Sequence, residues 1–176
     1  AKAIGQAFRL QVGMRQLMEF FSLHHLPAEL AVKTYKLYGE GVIDMLYDDP
    51  YMLTDEGLDA PFGAVDRFAI ELGVAGDDPR RVDAGVLFEL RYHLTAGHSF
   101  LPEGKLIDAT AQLLSVPLDT VQRSVKRLVA TGRLSCDKLA DIDILYLPEL
   151  YIAEACCTRQ LLNFASADYP APRNLD

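Results

Sequence analysis

Residues 117–147 read PLDTVQRSVKRLVATGRLSCDKLADIDILYL. Pro117 opens a helix, because the first turn tolerates a residue without an N–H. Val121, Val125 and Leu128, spaced four and three apart, form its apolar stripe. Gly132 closes it. Leu134 to Cys136 and Ile142 to Leu147 then alternate well enough for the two strands of a hairpin. Many three-helix units share the helices alone. A hairpin trailing a glycine-terminated helix points instead to a winged helix-turn-helix, whose third helix is offered to a duplex and whose hairpin is the wing.

The preceding segments supply the other parts. Asp78-Pro79 is an N-cap followed by a first-turn proline, opening a helix through Val82, Val86, Leu90 and Leu94 to Gly97. His98 to Leu101 is too short for a helix and reads as one extended segment. Pro102 opens a helix ending near Leu114. The order is helix, short strand, helix, helix, strand, strand. From Pro148 a last helix carries Leu150, Ile152, Ala153, Cys156 and Leu161, and residues 168–176 read as a linker. Upstream, the spacing predicts a helix over 6–22 carrying Phe8, Val12, Leu17, Phe20 and Phe21. A second runs from Pro27 through Leu30, Ala31, Thr34, Tyr35 and Tyr38 to Gly39. A short one through Val42, Ile43, Leu46 and Tyr47 stops at Pro50. After a turn from Gly57 to Gly63, Val65, Phe68, Ala69 and Leu72 form another, closed by Gly73. The chain is mainly α, and Tyr51 and Leu53 are expected to plug the core between its halves.

Half of the 176 residues are hydrophobic and 24% are charged, which excludes intrinsic disorder. No apolar run approaches the roughly 20 residues of a membrane span, so no membrane partner is expected. No signal peptide is visible. The chain lacks an initiator Met and reads as a piece of a longer protein. Cys136, Cys156 and Cys157 are an odd number, two of them adjacent, without zinc-ligand spacing. They read as small apolar fillers in a protein of the reducing cytoplasm.

The net charge of −8 argues against generic phosphate attraction by the whole surface. The excess is local: residues 40–59 hold Glu40, Asp44, Asp48, Asp49, Asp55, Glu56 and Asp59 with no Lys or Arg, a net −7. That band reads as a solvated helix face, or as a docking surface for a protein partner. It lacks the pattern of a calcium loop. Residues 117–133, at +3, are the most basic segment. With Val121, Val125 and Leu128 turned inward, Arg123, Lys126 and Arg127 fall on the outer face with Gln122 at its border. Together with Arg133 these are candidate contacts to DNA, duplex or fork, through its phosphates. An ordinary solvated helix surface is the other reading, since Lys and Arg are good helix formers.

No phosphate-binding loop, nucleophile elbow, zinc-protease motif or dinucleotide fingerprint occurs. His24 and His25 are adjacent, and His93 and His98 straddle a helix end. Neither pair suits a shared metal. No catalytic residue and no metal ligand is expected, and this stretch is not expected to be an enzyme by itself.

Several short runs carry a family likeness. Tyr38-Gly39-Glu40-Gly41-Val42-Ile43 leading to Asp49-Pro50-Tyr51-Met52-Leu53 is similar to the "YG…NPY.L" element of RecD/TraA-type ATP-dependent DNA helicases. Phe62-Gly63-Ala64-Val65-Asp66-Arg67-Phe68-Ala69 with Leu72-Gly73 resembles their "GF…AD.IA..LG" hairpin. Asp78-Pro79-Arg80-Arg81-Val82 resembles their "D.PeRi" helix start, and Gly97-His98-Ser99-Phe100-Leu101-Pro102 their "GH.ylP". The likeness spans roughly residues 14–165. It implies a tandem helix-hairpin-helix region over 1–76, a winged-helix-like unit with a small β-hairpin and trailing helix over 77–167, and a linker at 168–176. Two RecA-like motor domains would follow. The parents of this group translocate 5′ to 3′ on single-stranded DNA, using ATP and Mg, and some are called exodeoxyribonuclease V alpha subunits. A role in DNA repair or recombination is implied. No cofactor is expected in this stretch itself.

Helix-hairpin-helix units grip DNA by aiming the backbone N–H groups of a glycine-rich turn at a phosphate, which needs no net positive charge. The turn Leu23-His24-His25-Leu26-Pro27 has no glycine, and its proline removes a donor. The turn at Asp59-Ala60-Pro61-Phe62-Gly63 keeps one, so Gly63 and Ala64 are the candidate contacts. Either turn can instead be a helix-packing corner. Two functions follow: an accessory DNA-binding and positioning region of a helicase, or a structural module that braces the motor or docks a partner. Arg80 and Arg81, at a helix start where cations are mildly unfavourable, point to an acidic partner such as one in 40–59.

Overall fold

The computed structural model describes residues 2–55 and 57–166, with side chains described from Gln11 onward. The expected role of Phe8 in the first helix, the charge of Glu56 and the expected linker at 168–176 lie outside them.

Proline and glycine punctuate the elements as the sequence expects. Helix α1 spans Lys2–Leu23 and α2 Ala28–Tyr38. Helix α3 spans Val42–Asp48, and Pro50–Thr54 then form a 3-10 turn instead of a plain connection. Asp49 starts that turn by accepting the Tyr51 N–H at 3.1 Å. Helix α4 is Phe62–Glu71 and α5 is Pro79–Thr95, its N-terminus capped by the Asp78 carboxylate, which accepts the Arg80 N–H at 2.8 Å. Strand β1, Leu101–Pro102, leads into α6, Glu103–Leu114, and α7, Leu118–Ala130. Strands β2, Ser135–Leu139, and β3, Ile142–Tyr146, form the hairpin, followed by α8, Pro148–Ser166.

The sheet order is β1-β3-β2, antiparallel throughout, with Leu101 and Cys136 flanking Leu145 on either side. Helix, strand, two helices and a closing hairpin follow one another in the expected order, so the chain is mainly α with one small sheet. The hairpin turns on Ala140 and Asp141, both left-handed at φ 48° and 66°, as a two-residue turn joining twisted strands requires.

One hydrophobic core runs from Leu17 to Leu147 and crosses the 76/77 boundary assigned from sequence. Tyr51 and Leu53 are buried in it, as expected. Helices α5 and α6 approach so closely that a Cβ on Gly85 would lie 2.7 Å from a Leu114 methyl, which explains that glycine. One expectation fails. Cys136 and Cys157 are exposed and Cys156 is only half-buried, so none is a core filler. Helix α8 contributes no buried residue, and Ile152, Leu161, Leu162 and Phe164 stand in solvent. Its periodicity identifies a helix but not a neighbour to cover it.

Candidate nucleic-acid interface

The basic helix comes out with the orientation its spacing dictates. Val121, Val125 and Leu128 are buried, while Gln122, Arg123, Lys126 and Arg127 are exposed. Exposure is not freedom, however. Arg127 reaches back to α5 and holds Asp83 with two nitrogens, at 3.0 Å from Nε to Oδ2 and 2.6 Å from Nη2 to Oδ1. It also donates to the Pro79 carbonyl. The same carboxylate accepts from the Ser124 hydroxyl, buried on the inner side of α7. The hydrogen bond to Asp83 holds the Arg127 guanidinium above its ordinary pKa. Arg133 is tied to Asp55 at 2.8 Å, across to the 3-10 turn. Of these two cations, expected to face DNA, Arg127 ties α7 to α5 within the winged-helix-like unit and Arg133 ties that unit to the 3-10 turn, so that of the candidate cations on residues 117–133 Arg123 and Lys126 remain for an external anion. Arg123 makes a wholly exposed contact with Asp119 at 3.4 Å, an i,i+4 pair of little energetic weight. Lys126 has no ion pair among the described residues.

The hairpin before α4 is tightly folded and leaves two backbone donors open. Asp59 takes a left-handed φ of 51°, and the Ala60 N–H returns to the Leu53 carbonyl, so the turn is folded onto the 3-10 turn behind it. Phe62 is buried and anchors the helix start. Pro61 occupies the cap position, its carbonyl taken by the N–H groups of Ala64 and Val65. The Phe62 and Gly63 N–H groups, at the positive end of the helix dipole, have no partner among the described residues. The Ala64 N–H, proposed from sequence, is already spent on Pro61.

Gly63 explains itself by nothing inside the protein. Its φ is not left-handed, and a Cβ there would meet no atom within 4 Å. Gly76 and Gly104 are equally open, so the space at Gly63 admits an external group without itself demanding one. One turn on, exposed Arg67 shares the outer face with Gly63 and has no ion pair among the described residues. Sequence reasoning passed over Arg67, although its spacing of four from Gly63 was the available signal. The first turn is different. His25 takes φ 55°, and His24 packs its ring 4.5 Å from Phe20 and 4.8 Å from Phe68. That turn is a packing corner.

Behind the hairpin lies a buried clasp. Arg81, only 7% exposed, grips Asp66 of α4 with two nitrogens at 2.8 and 2.9 Å. It also donates to the carbonyls of Gly76 and Leu114, and the Tyr51 hydroxyl donates to Asp66 at 2.7 Å. Burial, reinforced by the Asp66 carboxylate, pushes the Tyr51 hydroxyl far above its ordinary pKa. Arg80 binds the Asp78 carboxylate at 2.9 Å and the Asp48 carbonyl. The hydrogen-bonded acidic partners of this arginine pair are therefore Asp66 and Asp78, while the 40–59 band contributes the Asp48 carbonyl and the favourable nearby charge of Asp49. His98, expected to bond a backbone group, instead presents an exposed ring beside His93, with 6.3 Å between centroids.

Comparison with known proteins identifies the family of the hairpin region. The family model for the HHH domain of the ATP-dependent RecD2 DNA helicase matches residues 10–100, just over half the chain. The ATP-dependent RecD2 DNA helicase of Deinococcus radiodurans is 32% identical over 130 residues, which are 73% of this chain and 17% of that protein. The chain thus corresponds to about a sixth of that relative's length. The matched interval contains both hairpins and the Arg81–Asp66 clasp, and the chain belongs to the HHH-domain family of RecD2-type DNA helicases.

Proposed function

We propose that this chain is an accessory DNA-binding and positioning region of a RecD-like 5′–3′ DNA helicase acting in repair or recombination. The hairpin at Pro61-Phe62-Gly63 holds a backbone phosphate. The observation that carries the reading is Gly63: an open glycine next to two unpartnered N–H groups, at the dipole-positive end of α4. Arg67 supplies a full charge beside them, and Gln122, Arg123 and Lys126 on α7 form a second, weaker contact to the same duplex or fork. ATP and Mg belong to the motor domains of the parent, and this stretch performs no chemistry of its own.

Salt titration of binding to forked DNA tests the reading. Log affinity falls with log salt by about 0.9 per phosphate neutralised by a cation. Arg67, Arg123 and Lys126 acting together give a slope of about −2.7, shallower than Arg67 together with four free cations on residues 117–133 would give. Gly63→Glu places bulk and negative charge at the N–H groups while suiting a helix N-terminus. It is expected to abolish binding and leave the melting temperature unchanged or slightly raised. Full binding by Gly63→Glu refutes the hairpin.

The exposed apolar side of α8 favours a second reading, in which the chain braces the motor of its parent or docks a partner. DNA then never touches it, and binding is absent even at low salt. The exposed acids Glu40, Asp44 and Asp59 would serve that docking.

A further inference from the structure

Four aromatic rings form a file that starts in the core and ends in solvent. Tyr51, Phe62, Phe88 and Tyr92 follow one another with centroids 6.4, 5.0 and 6.3 Å apart and planes inclined by 27°, 21° and 29°. Tyr51 and Phe62 are buried, Phe88 is half-buried, and Tyr92 is 61% exposed. Offset, nearly parallel rings of this kind are a favourable aromatic arrangement. A stack serving the core alone has no need of its last member. Tyr92 lies against Phe88, meets the neighbouring His93 ring edge-on at 5.7 Å between centroids, and is otherwise exposed, and its hydroxyl has no partner among the described residues.

The file is also tied to the hairpin. Phe62, its second ring, is the residue immediately before Gly63, so Tyr92 stands two ring spacings from the start of the candidate phosphate grip. The backbone around it is firm, because Arg91 beside Tyr92 donates to the Thr54 carbonyl at 2.9 Å. A phosphate grip and an exposed ring at fixed separation are the two parts of a single-strand site: one holds the backbone, the other stacks a base. Paired bases within a duplex keep their faces covered, so the ligand that completes the stack is an unpaired nucleobase.

We propose that Tyr92 is a stacking platform for an unpaired base of single-stranded DNA, at the single-stranded arm of a fork. This rests on the hairpin reading above, since the grip at Gly63 brings the strand to the ring.

The test uses the full 176-residue chain and three probes: oligo(dT), an abasic oligodeoxyribose of equal length, and a blunt duplex. Tyr92→Ala is expected to weaken binding to oligo(dT) roughly 5- to 140-fold, the range for loss of one base–aromatic stack. Tyr92→Phe is expected to bind as the unaltered chain does. Neither variant is expected to change affinity for the abasic strand or the duplex. The exposure of Tyr92 means that Tyr92→Ala should melt where the unaltered chain does, and a matched melting curve establishes this. Unchanged oligo(dT) binding by Tyr92→Ala, or an equal loss on the abasic strand, overturns the platform. If Gly63→Glu abolishes binding in the same series while Tyr92→Ala does not, the platform falls and the hairpin stands. If the unaltered chain binds none of the probes, both fall. Loss of a contact within the parent chain, with DNA binding intact, marks Tyr92 as a protein contact and also overturns the platform.

Discussion

Replacing Arg81 by Met keeps most of the side-chain volume and removes the guanidinium. Asp66 would retain only the Tyr51 hydroxyl, and the carbonyls of Gly76 and Leu114 would lose a donor. Breaking a buried ion pair by deleting one partner costs about 3–5 kcal/mol, because the remaining charge has left water without compensation. The Asp66 side chain is 15% exposed, so water reaches it and the lower end, about 3 kcal/mol, is expected. For a chain of this size each kcal/mol moves the midpoint by about 2–4 °C, so Tm should drop by about 6–12 °C. Urea unfolding followed by circular dichroism measures the free energy directly. Asp66→Leu/Arg81→Met removes the stranded charge as well and should be more stable than Arg81→Met alone. Tyr51→Phe removes one hydrogen bond to a charged acceptor and should cost about 1.5–3 kcal/mol. A loss of less than about 0.5 kcal/mol for Arg81→Met, as at an ordinary surface site, refutes the clasp. So does a double variant as unstable as the sum of its singles.

Three further outcomes follow from local features. Its hydrogen bonds with Arg80 hold the Asp78 carboxyl below its ordinary 3.8. Its contribution is present above that value and is lost as pH falls below it. Asp78→Asn keeps a capping side chain, so it should narrow the stability gap between neutral and strongly acidic pH, read from urea midpoints at each pH. Burial acts oppositely on Asp49, raising its pKa, so its contribution favours acid and survives in that variant. The Thr110 hydroxyl is buried without a partner among the described residues, and Thr110→Val should raise stability by about 1 kcal/mol, seen as a higher Tm. Ala140→Asn with Asp141→Gly suits the left-handed turn and should also add about 1 kcal/mol, measured in the same way.

Much of the fold was legible because the sequence marks its own boundaries. Pro27, Pro79 and Pro117 open helices, Gly39, Gly73 and Gly132 close them, and the inward stripe of α7 follows from spacing alone. What the sequence could not convey was pairing at a distance. Asp83 lies 44 residues before Arg127, and nothing local distinguishes an arginine that meets a phosphate from one that meets a carboxylate. Asp66 and Arg81 are 15 residues apart on different helices, so their clasp needed the packing of α4 on α5 to become visible. The apolar stripe of α8 likewise specifies a face, not the surface that covers it. Gly63 was legible as a candidate from its motif, yet the open space around it emerged only from the fold.

The central claim is that DNA meets this chain at the α4 hairpin and only secondarily at α7. The most direct measurement compares Gly63→Glu and Lys126→Glu on one forked DNA at one salt concentration. Gly63→Glu is expected to abolish binding, and Lys126→Glu to weaken it by no more than the loss of a single phosphate contact. Binding that survives Gly63→Glu and disappears with Lys126→Glu contradicts the account.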